Sequence, residues 1–186
     1  MDERKDEDVA VLVQQGDVES FRVLVERYEP RIARYARRFL FQGDDVKDIV
    51  QEVFIKAYVN IKSFDSDRRF SPWLYRIAHN EFVNAGRKRQ KERGNISLFD
   101  ADVLFPHLMT AEEAADTGAV REELKHMLTD SLEKLDAKYR EPLVLYYLED
   151  MDYKAISDIL HIPVSTVGVR LQRGKTMLKK IYPWKK

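Results

Sequence analysis

A chain of 186 residues, 44% hydrophobic and 34% charged, has room for one medium domain or two small ones and suits a soluble, largely helical protein. It contains no cysteine, which excludes disulfides and thiolate zinc sites, and its four histidines (His79, His107, His126 and His161) form no i, i+4 pair, so neither a metal nor another cofactor is expected. The formal net charge is zero but unevenly spread: residues 1–30 hold 9 acids and 4 bases, 31–95 hold 8 and 15, 96–138 hold 10 and 4, and 139–186 hold 5 and 9. Two basic blocks around an acidic one read as two phosphate-facing modules and a linker, although windows this short also vary by chance. No run approaches the ~18 apolar residues of a membrane span. The charged start MDERKDEDV lacks a signal-peptide core, so a cytoplasmic protein is expected.

In chain order, apolar residues from Val18 to Leu40 keep helical spacing, with Pro30 placed to kink or divide the helix. Gly43 and Asp44–Asp45 break and restart the chain, and DDVKDIVQEVFIKAYVNI carries a helix to about Ile61. On it, Val46, Val50, Val53, Ala57 and Ile61 share one side, flanked by Ile49 and Phe54, which makes a core face. About opposite lie Asp48, Ile55 and Val59, with Gln51 and Glu52 beside them. Apolar centres ringed by polar groups describe a protein-docking patch, and the same pattern also fits a helix buried on all sides.

Ser71–Pro72 signals the start of a further helix reaching about Arg93. Around that start, Phe64, Phe70, Trp73 and Tyr75 mix with Arg68, Arg69 and Arg76, and the run Arg87, Lys88, Arg89, Lys91, Arg93 closes the segment. Aromatic and basic residues together suit a surface that stacks unpaired bases and tracks a phosphate backbone, whereas Trp73 taken alone fits a core position better.

From Gly94 to about Gly118 periodicity lapses into an acidic linker rich enough in apolar residues to dock on something. Helices resume over Val120–Leu135, Lys138–Leu148, Tyr153–Leu160 and about Val164–Ile181. No strand alternation is found, so the fold class expected is all-α, in two small helical domains. In the last pair Asp152 is an N-cap, His161–Ile162–Pro163 is the break, and Val167, Leu171, Gly174, Leu178 and Ile181 face inward. Ser165, Thr166, Val169, Gln172, Arg173, Thr176 and Lys180 face outward, which is the helix-turn-helix pattern with a recognition helix bearing base-reading and phosphate-neutralising groups. A short helical hairpin with a solvated face is the bland alternative.

DDVKDIVQEVFIKAYVNIKSFD followed by FSPWLYRIAHN resembles the extracytoplasmic-function (ECF) sigma factors, two-domain initiation subunits of bacterial RNA polymerase, and the resemblance covers about Asp8–Arg93 and Val120–Lys180. It implies a region 2 domain at 1–95, a linker at 96–118 in the RNA exit path, and a flexibly joined region 4 domain at 119–186. Asp48, Gln51, Glu52 and Phe54 match the family's DxxQExF signature, which implies that Asp48, Gln51, Glu52, Ile55 and Val59 bind core polymerase. By the same resemblance Phe64, Arg68, Arg69, Phe70, Trp73, Arg76, Asn80, Arg87 and Lys88 serve the −10 promoter element, with Asn80 near a flipped base. Ser165, Thr166, Val169, Arg170, Gln172, Arg173 and Lys180 serve the −35 element. The partners implied are core polymerase, promoter DNA and a separate anti-sigma factor, soluble or membrane-anchored.

The chain departs from the family at Ser157 and His161, where alanine and glycine are usual, and at Gly168–Val169, where lysine and serine are. The glycine costs ~1 kcal/mol of helix propensity, and the changes bear on upstream sequence preference. A stand-alone helix-turn-helix regulator would leave the Asp48–Val59 face unexplained. A nuclease holding Mg²⁺ through Asp44, Asp45, Asp48 and Glu52 would lack a second carboxylate cluster, a nucleophile or a phosphate loop, so no enzymatic activity is expected.

Overall fold

The computed structural model describes residues 3–38, 44–92 and 134–181. The expected linker, and all but the end of the expected Val120–Leu135 helix, lie outside the described residues. Every helix or strand among the described residues is a helix, and the chain divides into two compact units, 1–103 and 104–186.

The first unit holds α1 (Asp6–Gln14), α2 (Val18–Arg38), α3 (Asp44–Asn60), a 3₁₀ turn (Ile61–Ser63) and α4 (Phe70–Glu92). α1 is short and starts with Asp6, Glu7 and Asp8, which suit the positive end of a helix dipole, and it buries Val9, Ala10 and Val13. Asp17 caps α2: its carboxylate accepts from the Ser20 amide at 3.2 Å and the Ser20 hydroxyl at 2.7 Å. Those two bonds hold the Asp17 carboxyl below its ordinary value.

Pro30 does not divide α2, which runs through it as one helix. The proline is exposed, while Leu24, Tyr28, Ile32, Tyr35 and Ala36 bury the opposite stripe on both sides of it. Side-chain burial of that kind is worth ~1.5–3 kcal/mol per large residue, enough to outweigh one lost helical hydrogen bond. α2 meets α4 through aromatic rings, Tyr35 lying 5.3 Å from both Tyr75 and Phe82. Lys56 joins α3 to α4 by an ion pair with Glu81 at 2.6 Å.

The second unit holds α5 (Ala137–Leu143), a π-helical turn (Val144–Leu148), α6 (Tyr153–Leu160) and α7 (Val164–Ile181). Asp152 caps α6 by accepting from the Ala155 amide at 2.7 Å. His161 ends α6 in the left-handed region at φ 54°, ψ 40°, where the chain turns into α7. The Ser157 hydroxyl, on the departure from alanine, donates to the Ile162 carbonyl and fastens that turn. Gly174 lets α7 approach α5: a Cβ there would lie 2.7 Å from Leu143 Cδ1 and 3.3 Å from the Tyr139 carbonyl oxygen.

Candidate functional site

α3 is two-faced. Val46, Val50, Val53, Phe54, Ala57 and Ile61 are buried, while Asp48, Gln51, Glu52, Ile55 and Val59 are all exposed, Ile55 at 48% and Val59 at 71%. The alternative of a helix buried on every side is thereby excluded. Asp48, Glu52, Ile55 and Val59 fall within one narrow stripe at 100° per residue, with Gln51 along its edge. The apolar area is wider than those residues. Tyr58 is 41% exposed and its ring packs at 5.2 Å against Phe21, which also touches Phe54. Tyr58 stands three residues after Ile55, and that spacing alone could have placed it on this face.

The loop from Ile61 to α4 differs from the expectation of a stacking platform. Phe64, Phe70 and Trp73 are buried at 5%, 1% and 9% exposure. Their rings pack on one another, Phe64 against Phe70 at 5.3 Å and against Trp73 at 5.4 Å, with Phe70 on Trp73 at 5.5 Å. Tyr75 is fully buried too. With the rings at an interior cluster, no face of Phe64 or Phe70 is presented for a base, so in this conformation they support the loop. The expected basic and polar residues do reach the surface. Arg68 and Arg69 are exposed on the loop, and Arg76, Asn80, Arg87 and Lys88 are exposed on α4, where spacings of 4 and 7 keep Arg76, Asn80 and Arg87 on one side.

On α7, Val167, Leu171, Gly174 and Leu178 are buried as expected, while Ile181 is half-buried. Ser165, Gln172, Arg173, Thr176 and Lys180 are exposed, and Thr166, Val169 and Arg170 are half-buried beside them. Gly168 is buried, so the position where the family has lysine is not on the exposed side of α7 in this chain. Met177, 39% exposed, adds an apolar atom set to the outward side. Among the described residues no group of three or more His, Asp or Glu is placed to hold a metal ion, and no helix is long and apolar enough to cross a membrane.

One compact helical unit carries an exposed apolar-acidic helix and a basic loop, and the other a helix-turn-helix. The family model Sigma-70 region 2 matches residues 24–92 and Sigma-70, region 4 matches residues 125–178, which makes the chain a sigma-70-type subunit. The chain belongs, more narrowly, to the ECF RNA polymerase sigma factors. It is 35% identical to ECF RNA polymerase sigma factor SigW of Bacillus subtilis, over 90% of this chain and 91% of that protein. It is 34% identical to the ECF RNA polymerase sigma-E factor of Haemophilus influenzae, over 92% of each. Among solved structures, CnrH in complex with the cytosolic domain of CnrY superposes with TM-score 0.65 at 28% identity, over 95% of this chain and 96% of that one. The sigma factor RpoE of Bartonella quintana, in complex with the anti-sigma factor NepR, shares the fold with TM-score 0.64 at 23% identity, over 88% of this chain and 97% of that one. The protein is thus an ECF sigma factor, a DNA-binding initiation subunit of RNA polymerase, and a stand-alone regulator is the less favoured reading.

Proposed function

We propose that initiation by this sigma factor divides among three surfaces. The α3 stripe of Asp48, Gln51, Glu52, Ile55 and Val59 docks on core polymerase. The exposed Arg68, Arg69, Arg76, Asn80, Arg87 and Lys88 engage the −10 element. The outward face of α7, with Ser165, Thr166, Val169, Arg170, Gln172, Arg173 and Lys180, engages the −35 element. The domain limits 1–95 and 119–186, with 96–118 as linker, follow the same division. The subunit acts in the cytoplasm, performs no chemistry of its own, and serves a stress or envelope-response regulon. A separate anti-sigma factor holds it inactive. The sigma factor RpoE of Bartonella quintana, which shares the fold, is seen in complex with the anti-sigma factor NepR, and this supports that partner class.

The observation that carries the reading is the exposure of Val59 and Ile55 among acids on a helix whose other face is core. A patch of this composition, charged at the rim and apolar at the centre, is built for burial against protein. Co-elution with core polymerase tests it. Val59→Glu and Glu52→Lys should each weaken binding by roughly tenfold or more while far-UV circular dichroism stays unchanged. Undiminished binding would exclude this face. Run-off transcription on a promoter library would then return both promoter elements, and Arg173→Ala should lower output on templates with the upstream element and spare those without it.

A further inference from the structure

We infer that α1 positions the Ile61–Phe70 loop for promoter reading, with Gln14 and Glu7 as its positioning residues; the inference rests on the proposed role of that loop at the −10 element. The side-chain amide of Gln14 donates to the Ile61 carbonyl at 2.8 Å and to the Phe64 carbonyl at 2.8 Å. Both donors of one carboxamide are therefore spent on one end of the loop. At the other end, a Glu7 carboxylate oxygen accepts from the Phe70 amide at 2.8 Å, capping the first turn of α4. One short helix thus holds both ends of a loop some fifty residues away in sequence.

Between those ends Asp65 to Arg69 are all exposed. The tip has its own tight turn, the Asp67 amide donating to the Asp65 carboxylate at 3.1 Å and the Arg68 amide to the Asp65 carbonyl at 3.0 Å. Phe64 and Phe70 pin the ends from beneath. α1 is in turn fastened to α2, because Asp6 accepts from the Tyr28 hydroxyl and from Arg27. Burial, then the bond to Asp6, push the Tyr28 hydroxyl upward, so it remains a protonated donor. Arg68 and Arg69 are displayed from a frame whose geometry α1 sets, and a loop ordered before binding loses less freedom when it meets DNA.

The test uses the full chain with core polymerase. Gln14→Met keeps volume and helix propensity but cannot donate; Gln14→Lys can donate to both carbonyls. Each is compared with an Arg68→Ala/Arg69→Ala control. Two quantities are read: hydrogen exchange of the loop amides in the free chain, and permanganate-detected opening on a selected promoter relative to the same promoter with its downstream element scrambled. Gln14→Met should speed loop exchange and cut that ratio roughly tenfold, as expected for losing two hydrogen bonds. Core binding should be unchanged and Gln14→Lys should restore part of the ratio. An unchanged ratio, or a loss shared equally by the scrambled promoter and by core binding, would overturn the positioning role. If the arginine control lowers the ratio and Gln14→Met does not, the inference alone fails. If neither does, the reading of the loop fails with it.

Discussion

His161 shows how far a single residue can be read. Its left-handed backbone at φ 54° occupies a region that costs an ordinary side chain ~1–2 kcal/mol and a branched one more. The sequence marked a break here, between a helix and Ile162–Pro163, at a position where the family has glycine. His161→Val should therefore lower stability by ~1–2 kcal/mol, and His161→Gly should be neutral or stabilising; chemical denaturation of the full chain checks both. Asp17 makes a different kind of statement. Its carboxyl is held below the ordinary 3.8, first by the Ser20 hydroxyl and then by the Ser20 amide. A depressed folded value contributes stability that is present above the unfolded value and lost as pH falls through the folded one. The melting temperatures of the parent and Asp17→Asn should thus converge as pH falls below about 4, because asparagine caps without titrating. A constant difference down to about pH 3 would mean the cap does not depend on the charge.

At the scale of elements, legibility followed the strength of the periodic signal. The inward and outward faces of α3 and α7 could be read because their apolar spacing is regular over four or more turns. α1 was missed, since nine residues with three acids in the first turn and only Val9, Ala10 and Val13 buried give little periodicity. Its role is visible only through bonds to Ile61, Phe64 and Phe70, which no local pattern encodes. At Pro30, of the kink or division that local propensity predicts, the division does not occur, because packing on both flanks preserves the helix. The aromatic loop was legible as a cluster but not in its orientation. A ring next to an arginine has the same sequence whether it stacks on a base or on Trp73. Gly174 was placed on the inward side of α7, and the structure supplies the reason for its size. Gly174→Val would put its side chain into Leu143 and the Tyr139 carbonyl without gaining the helix propensity of alanine. Overpacking of that kind costs ~1–3 kcal/mol, so the unfolding midpoint should fall while the α3 face still binds core.

For the whole molecule the decisive quantity is charge that cancels in sum and not in place. The chain is neutral, yet residues 31–95 and 139–186 are basic and the segments before and between them are acidic. Affinity for duplex DNA comes mostly from phosphates neutralised and counterions released, which favours a locally basic α7, while acids elsewhere repel the same backbone. A neutral chain should for that reason bind upstream duplex weakly when free, with Kd of about 10 μM or weaker at physiological salt. Once assembled with core polymerase the α7 contacts should become intramolecular and count fully. Two slopes of log affinity against log salt separate these regimes, one for the free chain and one for holoenzyme on an upstream-element promoter. Lys180→Ala should lower the holoenzyme slope by about 1, as expected for one phosphate contact, and should change the free chain's already weak binding little. A free chain that bound the duplex as tightly as the holoenzyme would show that its acidic segments do not oppose DNA. Promoter choice would then reside in α7 alone, without polymerase to enforce it.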